Sequence, residues 1–363
     1  MNKQRYVVII FSLGVALFGG MLQALSAEKK VKVLHITFHE GCEKDFEEVA
    51  RELDLDLTSW FVQQLPQGFW EGFHAGNEIY NVGPRRAQRV WDRHKDFFNQ
   101  FDLIVTSDTA PLSRIFLQNE WKKPLIIWVC NRFDYAHGRG GEDRFPDREY
   151  YNLIRQATQQ KNVRIIAYTP FEHEYMRRKG IEMGTRTIKP LGRKEEVIPD
   201  FKSAVPAEVN AGESLFIFPR LDGGQINRVK RDCAAVGIQT WSGVYNGPED
   251  LKQFKGVLFF PYAFSNLALF ENFQRGVVHF VPTRRFLTQL GFIRGGMHGN
   301  LQWSEWYFNE YANYLVFFDS WADLKHKMQS VDYDAMKPKI RSFGQQHRSV
   351  MIEDWKKLFG ELL

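Results

Sequence analysis

Short apolar runs alternate with amphipathic stretches along most of the chain, and this pattern predicts parallel β-sheets covered by helices. In the first half, the clearest apolar runs lie at 31–39, 102–107, 124–130 and 163–168. Helical periodicity separates these runs, most clearly at 85–101. The first half is therefore predicted to be an α/β unit.

The alternation stops at 193–213, a charged stretch with two prolines and no clear period, and then begins again. Further strands are predicted at 215–219, 257–261 and 277–281, and the chain becomes mostly helical after about residue 285. These patterns predict two doubly wound domains that face a cleft. The predicted units are a first domain at 28–192, a linker at 193–213, a second domain at 214–335 and a final helix at 336–363.

Residues 1–27 have the composition of a targeting segment rather than of a folded unit. Lys3 and Arg5 precede an uncharged stretch at 6–25, and small residues follow at 24–27. A cleaved signal peptide is one interpretation, and a membrane anchor through residues 6–25 is the other. Both predict an exported protein, located in a secretory lumen, in the periplasm or at a membrane.

Composition and charge argue against several classes of protein. The apolar share of 44% excludes a wholly disordered chain. The 48 Lys and Arg residues exceed the 43 Asp and Glu residues by only five, which argues against a nucleic-acid partner. The three cysteines, Cys42, Cys130 and Cys233, are far apart in the sequence and predict neither a disulfide framework nor a Cys-x-x-Cys metal site.

The stretch at 257–282 is the most informative one for function. An apolar strand ends in a loop, a helix follows, and Gly276 ends that helix before the next apolar run. Glu271 lies in the middle of the helix, where a carboxylate needs a partner if it is buried. The structural alternative is that Glu271 faces solvent or pairs with Arg275 four residues later.

This stretch resembles the C-terminal half of GT-B glycosyltransferases, which have two facing Rossmann-like domains. The resemblance rests on Glu271, on Gly276 five residues later and on the apolar strand at 277–281. It implies that Glu271 accepts hydrogen bonds from the donor ribose, and that the last helix crosses back to the first domain. It also implies that the loop before the helix faces the donor diphosphate, through Phe264, Ser265 and Asn266.

One position departs from the family pattern. Many retaining members have a second Glu eight residues before the first, and this chain has Ala263 there. The stereochemistry of transfer is therefore left open.

A cation is expected near the diphosphate. Arg220 follows the first strand of the second half, and it resembles the strand-to-loop arginine of these enzymes. Arg228 and Lys230 are further candidates, although a solvated helix face is the preferred interpretation of both.

Acceptor-side groups are expected on loops that follow strands of the first half. An inverting transfer needs a base, and we identify Asp134 and His39 as candidates from their loop positions. A turn or capping role is the alternative for each. No metal site and no cofactor are predicted, and Asp54 and Asp56 are interpreted as cap and turn residues rather than as metal ligands.

The sequence therefore predicts a glycosyltransferase that uses a nucleotide sugar as its donor. Its acceptor, whether a glycan, a lipid or a protein, is not specified by any motif. One alternative is an exported two-lobe solute-binding protein for sugars, since aromatic-rich loops such as 60–80 suit sugars. The other is a non-catalytic binding protein with a GT-B-like fold, an alternative that Ala263, at the position of the second Glu, leaves open.

Overall fold

The computed structural model describes residues 30–62, 82–134, 148–194 and 200–363. The predicted targeting segment at 1–27 lies outside the described residues, as does most of the aromatic loop at 60–80. Within the described ranges, no helix is long and apolar enough to cross a membrane.

The first half contains a parallel five-stranded sheet with the strand order β2-β1-β3-β4-β5. Its strands are β1 (Lys32–Thr37), β2 (Asp56–Phe61), β3 (Leu103–Thr106), β4 (Leu125–Val129) and β5 (Val163–Ala167). The helices are α1 (Glu40–Glu52), α2 (Pro84–Phe98), α3 (Arg114–Leu117), α4 (Arg148–Ala157) and α5 (Pro170–Arg178). All residues of β3 and β4 are buried, as expected for strands covered by helices on both faces.

The second half repeats this design, with the strand order β10-β9-β8-β6-β7. Its strands are β6 (Leu215–Ile217), β7 (Thr240–Trp241), β8 (Gly256–Leu258), β9 (His279–Pro282) and β10 (Leu315–Phe318). The helices are α6 (Gly223–Ala235), α7 (Pro248–Leu251), α8 (Leu267–Gln274), α9 (Arg284–Leu290), α10 (Trp321–Ser330) and α11 (Tyr333–Gly360). The predicted α/β fold with two parallel sheets is confirmed.

One strand differs from the expectation that the chain is mostly helical after about residue 285. The run Leu315–Phe318 forms β10, which pairs in parallel with β9 at the sheet edge. Four residues are too few to show a period of their own, and their burial depends on packing against the rest of the sheet.

The last helix, α11, crosses back to the first half, as the resemblance implied. Trp355 is fully buried there, with ring centroids 5.5 Å from Phe46 and 5.2 Å from Trp128. The Arg348 guanidinium donates to the carboxylates of Glu48 at 2.8 Å and Glu52 at 2.9 Å. This helix therefore ties the second half to the helix-covered face of the first sheet.

Gly276 ends α8 for a steric reason. Its φ of 68° lies in the left-handed region that glycine adopts without strain. A Cβ at this position would lie 2.6 Å from the carbonyl oxygen of Lys337 on α11. The glycine therefore allows both the sharp turn into β9 and the close approach of the last helix.

Candidate functional site

A cleft lies between the two halves, at the carboxyl ends of their strands. It contains two adjoining cavities of about 450 Å³ and about 340 Å³. We call the first the lysine cavity, because Lys44 and Arg193 line it, and the second the cysteine cavity, because Cys42 and Cys130 line it. Five residues line both cavities: His39, Gly41, Arg220, Leu267 and Glu271.

Glu271 faces both cavities from the middle of α8. The alternative ion pair with Arg275 is not formed, because the Arg275 guanidinium donates to the Glu249 carboxylate at 2.7 Å. Arg275 instead contacts the backbone carbonyl of Glu271, at 3.2 Å. Burial raises the pKa of the Glu271 carboxyl, and the nearby positive charges of Arg193 and Arg275 oppose this shift. The helix thus presents a carboxylate to the cleft.

The loop before α8 places two of its three predicted residues at the cleft. Ser265 and Asn266 line the cysteine cavity. Asn266 also caps α8, since its side-chain oxygen accepts from the Ala268 N–H at 3.2 Å. The Phe264 ring is instead buried in the contact between the two halves, where it stacks on Phe171 with centroids 3.8 Å apart.

Arg220 is the predicted cation that the structure places at the cleft. It lines both cavities, and its guanidinium lies 5.3 Å from the centroid of the Tyr262 ring. Arg228 and Lys230 line neither cavity. Arg228 donates to the Leu290 carbonyl at 3.0 Å and lies 3.7 Å from the Asp232 carboxylate, consistent with the helix-surface interpretation.

His39 and Asp134 have different positions relative to the cleft. His39 lines both cavities and caps α1, with its Nδ1 accepting from the Gly41 N–H at 3.0 Å. A hydrogen bond with the Cys42 thiol raises the pKa of His39 to about 9. Asp134 lines neither cavity; its carboxylate is buried and accepts from the Tyr151 hydroxyl.

Asp108 lines the cysteine cavity, whereas Asp134 does not. It follows β3 with a φ of 64°, and its carboxylate accepts from the Asn131 amide at 2.6 Å. Burial raises the pKa of Asp108 to about 7. A carboxylate with a pKa near neutrality suits proton transfer, because it exchanges a proton readily at the working pH.

Several cleft residues were not predicted from the sequence, among them Lys44, Arg193, Tyr245 and Tyr262. Lys44 lies on α1, and Arg193 lies on the connection between the halves. Both residues line the same cavity as Glu271 only because the two halves dock. Tyr245 and Tyr262 both follow strands of the second sheet. This position after a strand is the sequence feature that could have identified them as cleft residues.

Among the residues that the structure describes, no group of three or more His, Cys, Asp or Glu side chains is placed to hold a metal ion.

Comparison with known proteins supports the fold. No family model and no curated protein sequence matches the chain. A glycosyltransferase from Rickettsia africae is similar in structure, with a TM-score of 0.51, 12% identity and coverage of 92% of this chain and 99% of that one. A UDP-N-acetylglucosamine 2-epimerase covers 92% of this chain and 97% of its own, with a TM-score of 0.49 and 11% identity. SnogD, a glycosyltransferase from Streptomyces nogalater, covers 92% of this chain and 99% of its own, with a TM-score of 0.44 and 12% identity. The Rickettsia structure shares the arrangement of two parallel-sheet domains found here, which is the GT-B-like fold.

Proposed function

We propose that the protein is a glycosyltransferase that transfers a sugar from a nucleotide-activated donor. The observation that carries this proposal is the shared position of Glu271 and Arg220 on the wall of the cleft. A nucleoside diphosphate has both kinds of group that these side chains bind, namely ribose hydroxyls for a carboxylate and phosphate oxygens for a guanidinium. The fold supplies the cleft in which such a donor meets an acceptor.

The donor diphosphate would lie against the cationic side of the cleft. Arg220, Lys44 and Arg193 line the lysine cavity and would offset the negative charge of two phosphates. The N-terminus of α8, at Asn266 and Leu267, adds backbone N–H groups that favour an anion. The leaving diphosphate would be stabilised by these same groups as the bond to the sugar breaks.

The acceptor hydroxyl would enter from the first half. Transfer by inversion needs a base beside that hydroxyl, and His39 and Asp108 both line the cysteine cavity. The His39 Nδ1 already accepts the Gly41 N–H, so this nitrogen is not free to take a proton from the acceptor hydroxyl. Asp108, with a pKa of about 7, is the better candidate for the base. Asp134 lines neither cavity, so neither role is assigned to it.

Calorimetry of the full chain with UDP, with GDP and with free hexoses tests this proposal. We expect one of the two nucleotides to bind, and free hexoses to bind far more weakly or not at all. Binding of a hexose without binding of either nucleotide would contradict the transferase proposal and favour the solute-binding alternative. Nucleotide binding without release of nucleoside diphosphate from any nucleotide sugar would favour the non-catalytic alternative.

A further inference from the structure

Two cysteines that are distant in the sequence meet at the cleft. Cys42 lies in the first turn of α1, and Cys130 directly follows β4. Both line the cysteine cavity as neighbouring groups, and the Cys130 thiol donates to the Trp128 carbonyl at 3.5 Å. Cys42 is buried and Cys130 is half-buried, so the pair forms part of the cavity wall. Cys233 is buried on α6 in the other half.

The surroundings give the two thiols different chemistry. Cys42 lies at the N-terminus of a 13-residue helix, where the helix dipole favours a thiolate. Hydrogen bonds with Cys130 and His39 lower the pKa of Cys42 to about 6, although burial opposes this shift. Burial and the neighbouring Cys42 raise the pKa of Cys130 well above its usual range. These shifts favour the thiolate at Cys42 and the protonated thiol at Cys130.

The groups that face Cys42 come from several elements. His39 precedes α1, Ser107 and Asp108 follow β3, and Cys130 follows β4. A thiolate with a second thiol in contact is the arrangement that allows thiol–disulfide exchange to end in an internal disulfide.

We propose that Cys42 and Cys130 form a redox modification site that reacts with low-molecular-weight disulfides. The Cys42 thiolate attacks one sulfur of the small disulfide, so that a mixed disulfide forms and the other half leaves as a thiolate. The Cys130 sulfur then attacks the Cys42 sulfur, a Cys42–Cys130 bond forms, and the second half leaves. Two electrons pass from the protein to the small disulfide, and the two protein thiol protons end on the two released thiols.

This site does not depend on the proposed transferase function, since it requires only the contact between the two sulfurs and access from the cavity. It also assigns separate roles to the two residues. Cys42 is the attacking sulfur, and Cys130 is the sulfur that resolves the mixed disulfide.

Intact mass measurement and peptide mapping of the full chain after incubation with glutathione disulfide test the proposal. We expect the reduced wild-type protein to lose two hydrogen atoms, to retain no glutathione and to yield a linked Cys42–Cys130 peptide. Cys130→Ser should instead retain one glutathione on Cys42, because the resolving thiol is absent. Cys233→Ser is the matched control and should behave like the wild type.

Two results would overturn the proposal. One is a wild-type protein that keeps glutathione on Cys42 without forming the linked peptide. The other is a wild-type protein whose Cys42 and Cys130 both stay reduced, while an exposed model thiol in the same solution is oxidised. Circular dichroism of each variant establishes that it is folded, and Cys42→Ala gives a second folded background, in which no linked peptide is expected.

Discussion

The Arg275 guanidinium donates to the Glu249 carboxylate at 2.7 Å, and the Glu271 carboxylate one helical turn earlier faces the cleft. Both side chains of this ion pair are buried, with exposed fractions of 6% for Arg275 and 9% for Glu249. Arg275 also donates to the carbonyls of Arg193 at 2.7 Å and Lys194 at 3.1 Å, on the connection between the halves. A structural ion pair thus directs Arg275 away from the proposed donor site.

Glu249→Gln should destabilise the protein, because it leaves the buried Arg275 without its anionic partner. We expect the free energy of unfolding to fall by about 3–5 kcal/mol, measured by chemical denaturation. Lys252→Gln is the matched control, since Lys252 also pairs with Glu249 but its side chain is 42% exposed. Its removal should change the stability by less than about 1 kcal/mol. Equal losses in the two variants would show that burial does not strengthen the Arg275 pair.

Arg220→Gln should weaken the binding of a nucleoside diphosphate and leave the binding of the nucleoside alone unchanged. A lost hydrogen bond to a charged group costs about 1.5–3 kcal/mol, which corresponds to about 10-fold to 150-fold in affinity. Calorimetry with UDP and uridine, or with GDP and guanosine, separates the contribution of the phosphates to affinity from that of the nucleoside. Arg228→Gln, on α6 outside both cavities, should change neither affinity. A similar loss of affinity for the nucleoside and for the nucleoside diphosphate would show that Arg220 does not bind the phosphates.

Glu305→Gln should change how stability depends on pH. Glu305 is fully buried, and burial raises its pKa from the ordinary 4.5 to about 7. The folded state therefore binds this proton more tightly than the unfolded state, so stability is lost as pH rises from about 4.5 to about 7. Above that range the glutamine variant should be more stable than the wild type, by up to about 3 kcal/mol.

Denaturation at several pH values between 4 and 8 measures this effect. Glu353→Gln, an exposed change on α11, should follow the wild-type profile. A Glu305→Gln profile with the wild-type slope would mean that the carboxyl titrates alike in the folded and unfolded states.

Trp355→Ala should destabilise the protein, because the fully buried ring fills the space between Phe46 and Trp128. Truncation of a buried aromatic side chain costs about 3–5 kcal/mol in unfolding free energy. Lys356→Ala, at the next position but with a half-exposed side chain, should stay within about 0.5 kcal/mol of the wild type. A small effect of Trp355→Ala would contradict the docking of the last helix on the first sheet.

The sequence predicts the two sheets well where apolar runs are long and bounded by turns. The strands β1, β3, β4 and β5 follow directly from such runs, since strands buried on both faces need continuous apolar residues. The strand β10 was missed because its four residues follow a series of short 3-10 turns and have no period of their own. Its place in the sheet depends on pairing with β9, which is a tertiary contact.

The candidate site was only partly predictable. Glu271, Arg220, Ser265 and His39 were found because each follows a strand or lies on the helix after one, and the carboxyl ends of parallel strands converge. The same rule selected Asp134, but its side chain turns toward Tyr151 on α4. No local pattern signals that Lys44 and Arg193 line the same cavity as Glu271, since this arrangement depends on how the two halves dock.

Calorimetry with a nucleoside diphosphate and its 2′-deoxy form, on the wild type and on Glu271→Ala, tests the central proposal most directly. If Glu271 binds the ribose, the wild type should prefer the ribonucleotide by about tenfold or more, as for a hydrogen bond to a charged group. The Glu271→Ala variant should bind both forms equally and weakly. A Glu271→Ala protein that keeps the full wild-type affinity for the ribonucleotide would contradict the proposed donor site.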